Sequence, residues 1–138
     1  MAFLALSLAA CAKAPAPPSA PPDIYAMRGE IVRLPAAGER EVILRHEAVP
    51  GFRDDAGKIV GMDAMTMPFT LSAAALAGAV QNLATGDRVA FTLEVRWSDP
   101  HDTIVISGIS RLPAGERLAW EARVDATPVS PPSKGATP

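Results

Sequence analysis

The sequence predicts an all-β fold: a small, five-stranded OB-like barrel with one short helical segment and disordered Pro-rich ends. Three observations lead there. Five runs with strand patterning lie between residues 25 and 112, the one good helix candidate falls between the third and fourth, and ten of the 14 prolines crowd into the first 22 and last 26 residues. Five strands are too few for a sandwich of about seven but suit a small closed barrel. At 138 residues the chain holds one domain, since a single core uses about 100–150 residues.

Residues Met1 to Ala10 (MAFLALSLAA) are apolar but shorter than the roughly 20 residues a bilayer-spanning helix needs, so 1–10 is expected to be a remnant of an export signal. They end in Leu8-Ala9-Ala10-Cys11, which resembles the lipobox of bacterial lipoproteins. Cys11 is therefore the expected lipidation site, although no Lys or Arg precedes the apolar run. Residues 11–23 are Pro/Ala-rich and read as an extended tether. The barrel is placed at 24–113, and 114–138 is read as a tail, mostly disordered.

The first strand is Tyr25 to Leu34, closed by the turn-forming Pro35-Ala36-Ala37-Gly38. The second, Arg40 to His46, puts Val42, Leu44 and His46 on one face by the period-two rule. Pro50-Gly51 breaks it, and Phe52 to Gly61 reads as a loop or hairpin insertion. The third, Ala64 to Leu71, aligns Met65, Met67, Phe69 and Leu71, with Pro68 marking an edge or a bulge. Ser72 to Leu83 is the helix candidate, capped by Ser72. Gly86-Asp87 then turns into Arg88 to Trp97, whose alternation places Val89, Phe91, Leu93, Val95 and Trp97 on the buried face. Thr103 to Leu112 closes the sheet. Glu116 to Asp125 reads as a further strand or a short helix around Trp120.

Composition narrows the function. A net charge of −2 lacks the basic surplus that nucleic-acid binding draws on, and a 5% aromatic content is poor for stacking on bases or sugars. Cys11 is the only cysteine, so the folded middle has no thiol for metal or redox chemistry. There is also no nucleophile–base motif, Gly-rich phosphate loop or HExxH pattern, and the chain is not expected to be an enzyme.

What remains is methionine. Three of the five fall within six residues, as Met62-Asp63-Ala64-Met65-Thr66-Met67. On an extended strand Met65 and Met67 share a face about 6.6–7 Å apart, close enough for flexible thioethers to meet on one ion. Thioethers are neutral and soft, so they select Cu(I) and Ag(I) over Zn(II), Mg(II) or Ca(II). His46 is the best-placed imidazole, and it must be neutral to bind. On spacing alone such methionines, in line with Phe69 and Leu71, are more often core filler than ligands. His101, in the Ser-Asp-Pro-His-Asp turn, and Asp54-Asp55 read as solvated turns, and Met27 as core or rim.

Two segments, His46-Glu47-Ala48-Val49-Pro50-Gly51 and Ala64-Met65-Thr66-Met67-Pro68-Phe69, followed by Gly86-Asp87 leading into the fourth strand, resemble the CusF-like periplasmic copper- and silver-binding proteins. The resemblance runs from about Tyr25 to Leu112. It implies an OB barrel that holds Cu(I) or Ag(I) through His46, Met65 and Met67. The family's tryptophan, three residues before the first ligand methionine, is replaced here by Met62, as a third thioether or a shield. It further implies a monomeric metallochaperone or metal buffer in the periplasm, serving a copper efflux pump, a copper ATPase or an oxidase-assembly factor. Its only contact with a membrane would be the lipid anchor. The competing reading is an OB-type interaction module or envelope-complex subunit whose methionines only pack the core.

Overall fold

The computed structural model describes residues 20–124. The signal-like stretch, Cys11 and most of the tether lie outside the described residues, as does the tail from residue 125. Five strands, β1 (Asp23–Arg33), β2 (Glu41–His46), β3 (Met65–Leu71), β4 (Arg88–Val95) and β5 (Ile104–Arg111), close into a barrel in the order β1-β2-β3-β5-β4. Closure of five strands in this order, with the helical segment between β3 and β4, is the OB topology expected from the sequence.

β1 serves both halves of the barrel. Asp23–Glu30 pairs antiparallel with β4, and the stretch from Gly29 pairs with β2, with a register shift between Ile31 and Arg33. Gly29 lies where the two pairings overlap, opposite both His46 and Val89. The alternation in β2 and β4 reads directly as burial, with Val42, Leu44 and His46 inside on β2 and Val89, Phe91, Leu93 and Val95 inside on β4. Ile31, Leu71 and Ile106 complete the fully buried centre.

The helical candidate is broken in two. Ser72 caps α1 (Ala73–Ala77) as expected, its Oγ accepting from the Ala75 N–H at 3.2 Å, but the helix stops at Gly78 and restarts as a 3-10 turn, Ala79–Asn82. Glycine costs about 1 kcal/mol in a helix interior relative to alanine, so a five-residue segment does not propagate through it.

The insertion is a hairpin that continues the β2–β3 ladder. The register that sets Val42 opposite Phe69 and His46 opposite Met65 carries on, with no residue gained or lost, to a bridge between Val49 and Met62. A second bridge joins Arg53 and Ile59, and the Asp54 carboxylate closes the tip by accepting from the N–H groups of Ala56 and Lys58. Phe52 packs this hairpin between Tyr25 and Trp97, at centroid distances of 5.2 and 6.3 Å. Trp97 is therefore not the core residue expected. The β4 pairing ends at Val95, so the alternation no longer binds the next two residues, and Trp97 is an exposed flank for Phe52.

Order also extends past the barrel. A second helix, α2 (Ala119–Val124), follows a turn at Gly115, and Leu118 before it is fully buried. Burial of one leucine supplies about 1.5–3 kcal/mol. Of the two alternatives for Glu116 to Asp125 the helix is adopted over the described residues, and the segment 116–121 is fixed to the barrel.

Candidate metal site

β2 brings His46 to the barrel interior because it follows Val42 and Leu44 at period two, and its side chain is 0% exposed. Its Nδ1 lies 2.8 Å from the Glu47 carbonyl oxygen. A carbonyl can only accept, so Nδ1 carries the proton and the lone pair of the neutral ring is on Nε2. That Nε2 is buried with no hydrogen-bond partner. An unpartnered buried polar atom costs about 1–3 kcal/mol and calls for a reason. Phe69 meets the ring edge-on at 5.6 Å, which holds its plane.

Across the ladder His46 stands opposite Met65, and Leu44 opposite Met67. Directly paired residues have Cβ atoms roughly 4.5–5.5 Å apart and diagonal ones somewhat farther, so both thioether arms start within reach of the imidazole. Along β3 the shared face grades from buried Leu71 and Phe69 through half-buried Met67 to Met65, which is 45% exposed. This gradient marks the mouth of the barrel. Met62, bridged to Val49, is half-buried and, like Met67, packs against the core cluster. The structure thus brings His46, Met65 and Met67 to one end of the β2–β3 ladder and places Met62 on the next bridge beyond it.

Other candidates fall away from this mouth. His101 is exposed in its turn, its N–H donating to Asp99, and Met27 is core. Among the described residues no group of three or more His, Cys, Asp or Glu side chains could hold a metal ion. A groove of about 710 Å3 runs beside β1, β4 and β5, lined by small residues such as Ala26, Ala48, Ala90 and Gly108, and does not include His46 or Met65.

The surroundings of Glu47 escaped the sequence reading. Its carboxylate is gripped by the Arg28 guanidinium through two hydrogen bonds of 2.9 and 3.0 Å, and accepts a third, 2.6 Å, from the Ala119 N–H. Arg28 responds with a raised pKa, chiefly through those bonds and the charge of Glu47. Arg45, on the other side of His46, lies 4.5 Å from the centroid of the Trp120 ring. One signal was available in the sequence: Leu118 followed three positions later by Glu121 has the spacing by which a glutamate reaches back to the first amides of a helix. Glu121 does accept from the Leu118 N–H at 2.8 Å.

The protein is thus a five-stranded OB barrel with a buried imidazole, its Nε2 without a partner, on the strand paired with the one that carries Met65 and Met67. The model of the copper-binding periplasmic protein CusF family matches residues 24–105, more than half the chain, and the protein belongs to that family. No curated protein matches. Among solved structures, a tryptophan-to-alanine variant of CusF from Escherichia coli with Cu(II) is similar at 20% identity, covering 65% of this chain and 92% of that one with a TM-score of 0.43.

Proposed function

We propose that the barrel binds one Cu(I), or Ag(I) by the same chemistry, through Nε2 of His46 and the sulfurs of Met65 and Met67. It would serve as a metallochaperone or metal buffer outside the cytoplasm. The observation that carries this reading is the buried Nε2 left without a partner opposite a half-exposed methionine. A histidine kept for packing would have both nitrogens satisfied, and a methionine kept for packing would not sit 45% exposed. The alternative of core methionines with no metal role is weaker on both counts.

The donor set selects the ion, since two neutral sulfurs and one imidazole suit a soft monovalent cation. The gradient of exposure supplies a route for transfer: Met65, at the rim, is the ligand an incoming donor displaces first, while His46 holds the ion from inside. Met62 is the third thioether or the shield in the place of the family's tryptophan. The recipient belongs to copper handling, as an efflux pump, a copper ATPase or an oxidase-assembly factor. Anchoring through Cys11 would keep the carrier at a membrane; no helix among the described residues is long and apolar enough to cross one.

The deciding experiment is Cu(I) titration against a competing chelator under reducing conditions. A ratio near one that is lost in a folded Met65→Ile/Met67→Ile double variant supports the reading, and unchanged binding in that variant rejects it.

A further inference from the structure

We infer that the segment 116–121 is a latch that positions His46 for its ligand, with Glu47 and Leu118 as positioning residues. The inference rests on the metal reading above and deepens it. Both chain neighbours of His46 are held by this one segment: the Ala119 N–H donates to the Glu47 carboxylate, and Trp120 stacks on Arg45. The segment is itself fixed at three points: Leu118 is fully buried, Glu121 pairs with Arg88, and Glu116 lies 3.5 Å from Arg28; within it, Glu121 ties the helix start through the Leu118 N–H.

The path to the ring is short. Glu47 is clamped by its carboxylate, on Arg28 and Ala119, and by its own N–H, which donates to the Arg28 carbonyl at 3.0 Å. Its carbonyl is the group that accepts the hydrogen bond from Nδ1–H of His46. Fixing that carbonyl selects the tautomer with a free Nε2 and aims it at Met65. Groups that orient the far nitrogen of a ligand histidine raise its basicity and hold its plane, and losing them lowers metal affinity about 10- to 100-fold. Arg28 on β1 supplies the barrel's share of this hold, and the segment adds to it the Ala119 N–H on Glu47 and the Trp120 ring on Arg45, which is exposed on β2 while the imidazole is buried.

Two full-length variants test the latch. Leu118→Ala removes its buried anchor. Ala119→Pro removes only the N–H donated to Glu47, at the first position of a helix where proline is tolerated. In the metal-free protein, ring 15N shifts of His46 report the tautomer. The wild type is expected to show one form, protonated at Nδ1, and both variants a mixture. Ag(I) affinity by chelator competition should fall about tenfold in both, and Leu118→Met should restore it. Folded variants with the wild-type ring signature and wild-type Ag(I) affinity would overturn the latch. If Leu118→Ala does not fold, Ala119→Pro decides alone. A wild-type protein that takes up no Ag(I) sinks the metal reading, and the ring signature then decides the latch by itself.

Discussion

A β-carbon built on Gly29 would stand 2.5 Å from the Arg45 carbonyl oxygen, closer than such atoms approach. Gly29 is the residue paired with His46 across β1 and β2, so the missing side chain is what lets β1 press against the strand that carries the imidazole. The obstacle would be backbone, which cannot swing aside as a flexible side chain would. Gly29→Ala is expected to destabilise the metal-free protein by about 1–3 kcal/mol through overpacking. It should also weaken Cu(I) binding, because the strain falls on Arg45 and His46. Denaturant unfolding and chelator competition check the two effects, and wild-type values in both would refute the argument.

His46 itself should behave as a functional residue held at the expense of stability. His46→Phe removes the unpartnered Nε2 but also the Nδ1 bond, and the two effects oppose each other. Metal-free stability is expected to stay within about 1 kcal/mol of wild type while Cu(I) binding is lost. A loss of 3 kcal/mol or more on chemical unfolding would mean the ring is there to hold the core.

The two methionines should separate by burial. Met65→Leu, at a 45% exposed rim position, is expected to change stability by less than about 0.5 kcal/mol. Met67→Leu, half-buried but nearly volume-conserving, should cost less than about 1.5 kcal/mol. Each should lower Cu(I) affinity by about tenfold or more, as loss of a donor must exceed loss of a supporting group. Thermal melts set beside chelator titrations give both readouts from one sample.

Acid should release the 116–121 segment before the barrel opens. Glu121 is held below its ordinary value of 4.5, first by the Leu118 N–H and then by Arg88. A depressed carboxylate adds stability that is fully present above its unfolded value and is lost as pH falls through the lowered folded one. Trp120 emission in a Trp97→Phe background should therefore change below about pH 4.5, with the far-UV signal of the strands retained. A pH-independent emission over that range would count against docking by Glu121. Asp87, lowered by the Ala84 N–H and by Arg111, acts in the same direction at the turn before β4.

The barrel was legible where burial alternates without interruption. Val89 through Val95 announces a strand with one face inside, and Val42, Leu44 and His46 announce the face on which the imidazole lies. The pairing of His46 with Met65 was less accessible, because the insertion between them obscured the register. The register is set by the ladder itself, which the pair Val49 and Met62 continues beyond His46 and Met65. Trp97 misled because alternation says nothing of where pairing stops. The segment around Leu118 stayed hidden for another reason: its hold on the barrel is one buried leucine and several long-range polar contacts, none of which leaves a period in the chain. The orphaned nitrogen of His46 is a property of three-dimensional surroundings, and no residue string displays it.

Pro68 sits where β3 has no neighbour on the side away from β2, since β5 pairs only with Thr70 and Leu71. Leu71 donates its N–H to Arg40 on the β2 side, so the ring nitrogen of Pro68, three positions earlier, faces the open side. A foreign strand trying to zip along this rim would find a donor missing beside the sulfurs. On the proposed reading, a recipient reaching this mouth would meet it with side chains rather than by extending the sheet.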